Sequence, residues 1–459
     1  MPNLENIKKY KNIHMIGIGG TSMSGIAEIL QNWGFNITGS DNSQSEYTDK
    51  LIKNGIKVTI GSNVDDVKKA DLVVYTAAIP QTDIELVTAR ELNIPCIERG
   101  KFLGDLTKCF KNTICISGTH GKSTTTSMVS CCFLEANLNP TIQIGAILKQ
   151  IKGNSRVGNS ENFIIESCEY ANSFLNFFPK AEIILNIDND HLDYFKTFEN
   201  IKKSFSEYVA KLPEDGLLVL NYDDPNVMEL ATCSKAKIIT YSIQNSSTAN
   251  FFAKNIEFND NGFAKFDVYN NNEFFETIEL SVSGIHNVSN ALATIALCNH
   301  YGIKKEVIKK ALLAYTGTHR RFEFIGTYNG ANIFDDYAHH PTEILATLNS
   351  ARNKKHNKIW AIFQPHTYSR VKNLLDDFTS VLSQFDNIII TDIYAAREKN
   401  IYGVSSQDIV DSLKKAGKES IYIKDFDEIV SYVKQNCQPN DIILTLGAGT
   451  VTQIGGMIR

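Results

Sequence analysis

Short apolar runs recur along the chain, and most are followed by a glycine-rich or acidic turn and then by a run with helical spacing. Such runs of β-branched and aromatic residues predict buried strands, and the spacing after them predicts helices. Strands that alternate with helices are typical of a parallel, doubly wound sheet. The pattern predicts an α/β fold, with strands near residues 12–18, 36–41, 71–75, 113–117, 163–165, 183–185, 359–363, 388–391 and 441–446.

The chain has 459 residues, which predicts about three domains at ~150 residues each. Residues 1–107 show a strand, a glycine turn, a helix and a strand that ends in an acid, which is the Rossmann arrangement. Residues 108–318 carry a phosphate-loop pattern, and residues 319–459 return to alternating strands and helices. We therefore expect a Rossmann-like N-terminal domain, a central P-loop ATP-binding α/β domain and a C-terminal Rossmann-like domain.

Composition narrows the class of function. The net charge is −5 and no basic stripe is present, which argues against a broad nucleic-acid footprint. No apolar stretch approaches the ~18 residues of a membrane span, and residues 1–11 do not resemble a signal peptide. Nine cysteines without a Cys-x-x-Cys pair fit reduced thiols. We expect a cytoplasmic protein with no nucleic-acid partner and no membrane insertion.

The most informative motif lies in residues 113–126, where an apolar strand breaks into Gly-Thr-His-Gly-Lys-Ser-Thr. Backbone N–H groups and the positive end of the following helix attract a phosphate. Lys122 adds a mobile charge, and Ser123 offers a hydroxyl to a magnesium ion. The common loop has a glycine where this chain has Ile116, so Gly118 opens a shortened version. The motif predicts binding of a nucleoside triphosphate.

A second glycine turn follows the first strand and contains Gly17, Gly19 and Gly20. The dinucleotide fingerprint is incomplete, because Ser22 occupies its third glycine position. A nucleotide pyrophosphate on these backbone amides, with Asp41 reaching a ribose or base, is one interpretation. NAD binding and a purely structural turn are the alternatives at this point.

Acids and a histidine follow two strands of the central segment. Glu166 and Glu169 come after residues 163–165, and Asp188, Asp190 and His191 come after residues 183–185. Carboxylates near a phosphate loop suit magnesium, which prefers oxygen ligands. The alternative is that Asp190 or Asp193 begins a helix as its N-cap.

Two polar clusters in the last segment, residues 335–343 and 364–370, follow predicted strands, where open α/β sheets place ligand-binding groups. His286 and Asn287 open an alanine-rich helix in the central segment, and capping is the simpler explanation for that pair.

Taken in order, these motifs resemble those of the Mur ligases, and the short glycine–lysine loop is also similar to that of folylpolyglutamate synthetases. The resemblance covers essentially the full chain. It is carried by His-Met-Ile-Gly-Ile-Gly-Gly at 14–20, Gly-Thr-His-Gly-Lys-Ser-Thr at 118–124, Asp-His-Leu-Asp at 190–193, His-Asn at 286–287, Arg-Arg-Phe at 320–322, Asp-Asp-Tyr-Ala-His-His-Pro-Thr-Glu at 335–343 and Gln-Pro-His at 364–366.

The resemblance implies ATP-dependent ligation of L-alanine to the carboxylate of UDP-N-acetylmuramate through an acyl phosphate, in peptidoglycan precursor synthesis. ATP and Mg²⁺ are the implied cofactors, and a monomer or homodimer is expected. The residues it implies are Gly17, Gly19, Gly20, Ser40 and Asp41 for the UDP substrate; Gly118, Thr119, His120, Gly121, Lys122, Ser123, Thr124, His286, Asn287 and Arg321 for ATP; Ser123, Glu169 and His191 for the metal; Tyr337, His339, His366 and Arg370 for the amino acid; and Lys122, His339 and Arg370 for catalysis.

The chain departs from the family pattern at two places. Cys168 stands where an aspartate is common, and Thr367 stands where an arginine often follows Gln-Pro-His. Other Mur ligases carry a carbamylated lysine. Neither Lys202 nor Lys203 of this chain can be aligned with that lysine.

Three other functions compete with this interpretation. A recycling ligase that joins UDP-N-acetylmuramate to a murein tripeptide keeps nearly all of the same motifs. An NAD-dependent oxidoreductase uses only the first segment and leaves the phosphate loop without a purpose. A silent binding or regulatory protein of the same fold does not need the intact loop, Glu169 and His191.

Overall fold

Three β-sheets organise the protein, whose computed structural model describes residues 4–5, 7–244, 247–396 and 398–459. Helices connect the strands of each sheet, and the predicted α/β fold with three domains is confirmed.

The first sheet has the strand order β3-β2-β1-β4-β5, and all of its pairs are parallel. Its strands are β1 (Asn12–Ile16), β2 (Asn36–Asp41), β3 (Lys57–Ile60), β4 (Leu72–Tyr75) and β5 (Cys96–Glu98). The helices of this part are α1 (Thr21–Asn32), α2 (Glu46–Lys53), α3 (Val64–Val67), α4 (Ile84–Glu91) and α5 (Arg99–Thr107). The sheet and its connecting helices form the predicted Rossmann-like arrangement.

The second sheet is larger, and its strands are β6 (Asn112–Ser117), β7 (Thr141–Leu148), β8 (Gly153–Arg156), β9 (Asn162–Glu166), β10 (Ala181–Ile184), β11 (Leu217–Asn221), β12 (Lys237–Ser242), β13 (Phe251–Phe258), β14 (Phe263–Asn270) and β15 (Glu273–Ser283). Their order is β15-β14-β13-β12-β11-β10-β6-β9-β7-β8. The helices are α6 (Lys122–Glu135), α7 (Leu192–Phe195), α8 (Phe198–Val209), α9 (Pro225–Glu229), α10 (Ile285–His300) and α11 (Lys305–Ala314), with short 3₁₀ helices at Lys149–Ile151, Tyr170–Asn176 and Leu230–Thr232.

The third sheet has the order β16-β17-β21-β18-β19-β20, and only its edge strand β16 is antiparallel to its neighbour among the described pairs. The strands are β16 (Glu323–Tyr328), β17 (Ala331–Asp336), β18 (Ile359–Phe363), β19 (Asn387–Ile390), β20 (Ile421–Tyr422) and β21 (Ile442–Leu446). The helices are α12 (Pro341–Arg352), α13 (Tyr368–Asn373), α14 (Leu375–Leu382), α15 (Ser406–Lys415), α16 (Phe426–Asn436) and α17 (Thr452–Ile458).

The chain forms two compact units. The first spans the chain up to Phe252 together with Tyr269–Glu273 and Asn290–Ala311, and the second comprises Ala253–Val268, Phe274–Ser289 and Leu312–Arg459. The central strands of the third sheet are wholly buried, as in β18 and β21, which is expected when helices cover both faces. Among the described residues, every helix is too short or too polar to cross a membrane.

The strand order decides which loops meet. Strand β6 lies between β9 and β10, and all three run parallel. The loops after these strands therefore share one edge of the second sheet. In the same way β21 lies between β17 and β18, so the loops after them meet at one edge of the third sheet.

Candidate functional site

The glycine turn after β1 is held against the end of β2 by a backbone hydrogen bond and one carboxylate. Gly17 has φ 78° and donates its N–H to the carbonyl of Ser40 at 2.8 Å. Gly19 donates its N–H to Oδ2 of Asp41 at 2.9 Å, and Gly20 precedes the first residue of α1. A Cβ at Gly19 would lie 2.9 Å from the same carboxylate oxygen. The turn and Asp41 are therefore brought together at the N-terminus of α1, where an anion is favoured.

Ser40 faces the interior. Its side chain is 2% exposed, and its hydroxyl donates to Oε2 of Glu85 at 2.6 Å. Glu85 also accepts from the backbone of Asn63 at 2.7 Å and pairs with Nε2 of His14 at 3.2 Å. Burial acts to raise the pKa of Glu85, but these hydrogen bonds outweigh it and hold the pKa below its ordinary value. The hydroxyl of Ser40 is therefore engaged with Glu85 and does not face the glycine turn. Its carbonyl contacts the turn by accepting from the N–H of Gly17.

The second glycine loop is held by the segment after β10. The N–H of Thr119 donates to the carbonyl of Asn186 at 3.1 Å, and the N–H of His120 donates to its Oδ1 at 2.7 Å. Nε2 of His120 lies 2.9 Å from Oδ2 of Asp188. Gly118 has φ 134° and Gly121 has φ 85°, which L side chains rarely adopt. The loop shape depends on glycine at both positions.

Lys122 is the first residue of α6 and folds back over the loop. Its Nζ donates to the carbonyls of Gly118 at 2.6 Å and Thr119 at 2.9 Å, and it lies 3.0 Å from Oε2 of Glu169. Burial acts to lower the pKa of Lys122, but the carboxylate of Glu169 outweighs it and raises the pKa above the ordinary value. Lys122 is a charged ammonium at neutral pH, and it is held at the mouth of a phosphate loop.

Ser123 and Thr124 lie in the first turn of α6. The hydroxyl of Ser123 donates to Oε2 of Glu166 at 2.8 Å. The same oxygen accepts from the backbone N–H of Gly145 at 2.8 Å. Glu166 is therefore oriented toward the loop by two donors, a role that the sequence did not reveal.

His191 adopts a left-handed backbone conformation directly before α7, with φ 57° and ψ 34°. Its Nε2 lies 3.8 Å from Oε1 of Glu169 and 3.7 Å from Oδ2 of Asp190. Such backbone strain in a non-glycine residue clusters at functional sites. The N-cap position belongs to His191 itself, so the alternative that Asp190 begins the helix is wrong, and the side chain of Asp193 lies outside the described residues.

The second unit contains an acidic pair at the end of β17. Asp335 is fully buried and accepts from Nε of Arg320 at 2.9 Å and from Oγ1 of Thr445 at 2.6 Å. Asp336 accepts from Oγ1 of Thr347 at 2.9 Å. Burial raises the pKa of Asp336 to about 6, although Arg321 and these hydrogen bonds act in the opposite direction. Both acids are the last residues of the strand and do not follow it.

The predicted amino-acid residues of the 335–343 cluster lie together. The guanidinium carbons of Arg320 and Arg321 lie 5.1 and 5.4 Å from the centre of the Tyr337 ring, within the range of a cation–π contact. Nδ1 of His339 lies 2.9 Å from the carbonyl of Tyr337 and 3.2 Å from Oε2 of Glu343. Because a carbonyl only accepts, Nδ1 carries the hydrogen, and Nε2 is the basic nitrogen of the neutral ring.

The 364–370 cluster meets the first one at the rings of His339 and His366, whose centres are 5.5 Å apart. Nη1 of Arg370 donates to the carbonyl of His366 at 2.6 Å and lies 3.1 Å from its Nδ1. The ring of His366 also stacks on that of Tyr394, with ring centres 5.9 Å apart. The second unit therefore gathers Tyr337, His339, His366 and Arg370 as predicted.

His286 and Asn287 lie in the first turn of α10 and belong to the second unit. Asn287 donates its side-chain amide to the carbonyl of Ser283 at 2.7 Å. His286 is exposed, and Gly284, with φ 99°, leaves room for its ring because a Cβ there would lie 2.5 Å from Cε1. The Asn287 amide thus ties the helix start to β15.

Comparison with known protein families covers nearly the whole chain. The family model described as "Mur ligase family, catalytic domain" matches residues 12–111, "Mur ligase middle domain" matches residues 116–298, and "Mur ligase, glutamate ligase domain" matches residues 320–449. A UDP-N-acetylmuramate–L-alanine ligase of Acetivibrio thermocellus is 48% identical over 449 residues, which cover 98% of this chain and 96% of that protein. The chain belongs to the Mur ligase family.

Relatives and solved structures extend this assignment. A UDP-N-acetylmuramate–L-alanine ligase of Caldanaerobacter subterraneus is 47% identical over 98% of this chain and 97% of its own length. The crystal structure of a UDP-N-acetylmuramate–alanine ligase from Thermotoga maritima has a TM-score of 0.83 and 28% identity, with 98% of both chains covered. A murein peptide ligase from Psychrobacter arcticus has a TM-score of 0.72 at 24% identity, which shows the shared fold.

Family membership rejects one of the alternatives for the first glycine turn. Residues 12–111 of this Mur ligase match a ligase domain, so the NAD-dependent oxidoreductase is the wrong alternative. The chain is therefore an ATP-dependent ligase.

The structure shows the environment of the two residues that depart from the family pattern, Cys168 and Thr367. Cys168 is exposed, next to Glu169. The hydroxyl of Thr367 donates to Oε1 of Glu398 at 2.9 Å, and the N–H of Ser369 donates to Oε2 at 2.8 Å. Where a cation is common in Mur ligases, this chain has a hydroxyl that anchors a carboxylate from a distant loop.

Proposed function

We propose that this Mur ligase joins L-alanine to the carboxylate of UDP-N-acetylmuramate at the expense of ATP, in peptidoglycan precursor synthesis. The observation that carries the proposal is the full-length identity of 47–48% to ligases of that name. The loop geometry supports it, because Lys122 pairs with Glu169 and Ser123 bonds to Glu166 beside the glycine loop, and an ammonium, a hydroxyl and carboxylates are groups that suit a phosphate and a cation.

We assign the three domains to residues 1–107, 108–318 and 319–459. In the first domain, the pyrophosphate of the substrate binds the amides of Gly17, Gly19 and Gly20. Asp41 accepts from the Gly19 N–H, so a pyrophosphate that takes this N–H would release the carboxylate to contact the ribose or base. Ser40 contributes through its backbone, since its hydroxyl is engaged with Glu85.

The central domain binds ATP and Mg²⁺. Gly118 to Thr124 surround the phosphates, and Lys122 moves from Glu169 to the β- and γ-phosphates. The hydroxyl of Ser123, the carboxylate of Glu169 and the imidazole of His191 would hold the metal, and Glu166 accepts from Ser123 and orients its hydroxyl. This oxygen-rich set suits Mg²⁺, which neutralises the charge that develops on the transferred phosphoryl group when it is bound. His286 and Asn287 contact the adenine, and Arg321 contacts the phosphates.

The chemistry needs no nucleophile from the protein. A carboxylate oxygen of UDP-N-acetylmuramate forms a bond to the γ-phosphorus, and the bond to ADP breaks. The neutral amine of L-alanine then forms a bond to the activated carbonyl carbon, and inorganic phosphate leaves. Nε2 of His339 accepts the proton of the amine, since its Nδ1–H is engaged with the Tyr337 carbonyl. Arg370 and His366 orient the acyl phosphate and the amino acid, and Tyr337 lines their site.

Phosphate release from ATP tests this assignment. Purified protein receives Mg²⁺, ATP and UDP-N-acetylmuramate, with L-alanine, L-serine, glycine or an L-Ala-D-Glu-containing tripeptide added separately. We expect release that depends on L-alanine, with UDP-N-acetylmuramoyl-L-alanine identified by mass. Release only with the tripeptide assigns the protein to peptide recycling. Silence with every acceptor contradicts the proposed ligase activity.

A further inference from the structure

Helix α1 of the first domain packs against the hairpin formed by β7 and β8 of the central domain, within the first compact unit. Gly25 allows the close approach, since a Cβ there would lie 3.1 Å from Cβ of Ser155 and 3.6 Å from Cδ of Gln143. Asn154 of β8 also donates to the carbonyl of Thr21. The start of α1, directly after the glycine turn, is therefore tied to the hairpin.

Gln143 makes the central contact of this packing. Its side-chain Nε2 donates to the carbonyl of Ser22 at 2.9 Å and to the hydroxyl of Ser22 at 3.0 Å. Gln143 is 4% exposed, and its Oε1 is buried without a hydrogen-bond partner among the described residues. The hydrogen bonds of the Gln143 amide are therefore those that its Nε2 donates to Ser22. The orientation of this buried side chain follows the position of Ser22.

The same strand reaches the metal side of the phosphate loop. Two residues after Gln143, the N–H of Gly145 donates to Oε2 of Glu166 at 2.8 Å. That oxygen also accepts from the hydroxyl of Ser123 at 2.8 Å. Strand β7 thus contacts the first turn of α1 through a side chain and the phosphate loop through a backbone amide and one carboxylate.

We propose that Gln143 is a positioning residue that couples binding of the UDP substrate to binding of the metal–ATP complex. The inference rests on the proposed function. A pyrophosphate on the glycine turn orders Ser22, Gln143 transmits that position to β7, and Gly145 sets Glu166 against Ser123. Because such coupling is reciprocal, each ligand raises the affinity for the other by the same factor.

Isothermal titration calorimetry of the full chain measures this factor. The dissociation constant of Mg²⁺ with a non-hydrolysable ATP analogue is determined without and with saturating UDP-N-acetylmuramate. We expect a ratio of about fivefold or more in the unmodified protein. In Gln143→Met, which keeps the side-chain length and loses the donor, the ratio falls to about one while the affinity for each ligand alone stays within about twofold.

Gln150→Met is the matched control, because Gln150 is exposed in the turn of the same hairpin, and it keeps the full ratio. Ser22→Ala removes one of the two acceptors and yields an intermediate ratio. If Gln143→Met does not fold, an unchanged ratio in Ser22→Ala overturns the inference.

A ratio of one in the unmodified protein, or a full ratio in folded Gln143→Met, also overturns it. Failure of the unmodified protein to bind UDP-N-acetylmuramate in the presence or absence of the ATP analogue contradicts the proposed function instead.

Discussion

Replacing Gly145 by alanine adds one methyl group against the carboxylate that orients Ser123. The new Cβ would lie 2.8 Å from both carboxylate oxygens of Glu166, where ordinary contact begins at 3.4 Å. The carboxylate must retreat by about 0.6 Å, the difference between these two distances. Its 2.8 Å hydrogen bond with the Ser123 hydroxyl is then lost or badly stretched.

A hydrogen bond to a charged group contributes about 1.5–3 kcal/mol, which corresponds to about 10- to 100-fold in affinity or rate. We therefore expect Gly145→Ala to lower kcat/KM for ATP by that factor and to raise the Mg²⁺ concentration needed for half-maximal activity. The assay is L-alanine-dependent phosphate release over a Mg²⁺ titration, with the thermal midpoint recorded to confirm folding.

Gly456→Ala is the control, because a Cβ at Gly456 meets no atom within 4 Å and the residue lies in α17. This variant keeps the activity and gains up to about 1 kcal/mol of helix stability. A folded Gly145→Ala protein with the Mg²⁺ dependence of the unmodified enzyme would refute the reasoning that the close approach positions Glu166.

Three further outcomes follow from the described contacts. Lys122→Ala lowers acyl-phosphate formation about 100- to 1000-fold, measured by hydroxylamine trapping, and leaves UDP-substrate binding intact; the exposed Lys69→Ala is its control. His339→Gln slows ligation about 100-fold or more but keeps acyl-phosphate formation, so equal loss of both steps contradicts its role as base. Burial raises the pKa of Asp336 from 3.8 to about 6, so the stability from its protonated form is complete below about pH 4 and lost as pH rises through 6. In urea unfolding, the free energy of unfolding therefore falls on the order of 2–3 kcal/mol as the pH rises across that range. Asp336→Asn removes this pH dependence.

Local pattern predicted the elements of this protein well. The helix expected directly after the phosphate loop is observed as Lys122–Glu135, and the strand over 36–41 is observed as Asn36–Asp41. Both elements are set by local sequence preferences, since glycine turns and apolar runs act over a few residues. The sequence also predicted that the polar loops after β6, β9 and β10 lie near one another, because the carboxyl ends of parallel neighbouring strands share an edge.

Contacts that depend on strand order could not be predicted from the sequence pattern, because they join residues far apart in the chain. Asn186 anchors the loop at His120 across 66 residues of sequence, and Gln143 contacts Ser22 across 121 residues. Neither residue carries a motif, and only the position of β6 between β9 and β10, or of β7 beside α1, makes them neighbours. The burial of Ser40 was missed for the opposite reason, because a strand-end serine before an acid looks the same whether it faces solvent or a buried Glu85.

The resting position of Lys122 has a consequence for nucleotide selection. Its ammonium neutralises Glu169 while its remaining hydrogen bonds go to Gly118 and Thr119. A bare triphosphate that draws this ammonium away leaves an uncompensated carboxylate in a partly desolvated place, which is costly. A triphosphate that arrives with its own divalent cation restores electroneutrality in one exchange. On the proposed function, we therefore expect the loop to bind the metal-complexed nucleotide in preference to the free anion, because only the complex keeps the charge balanced.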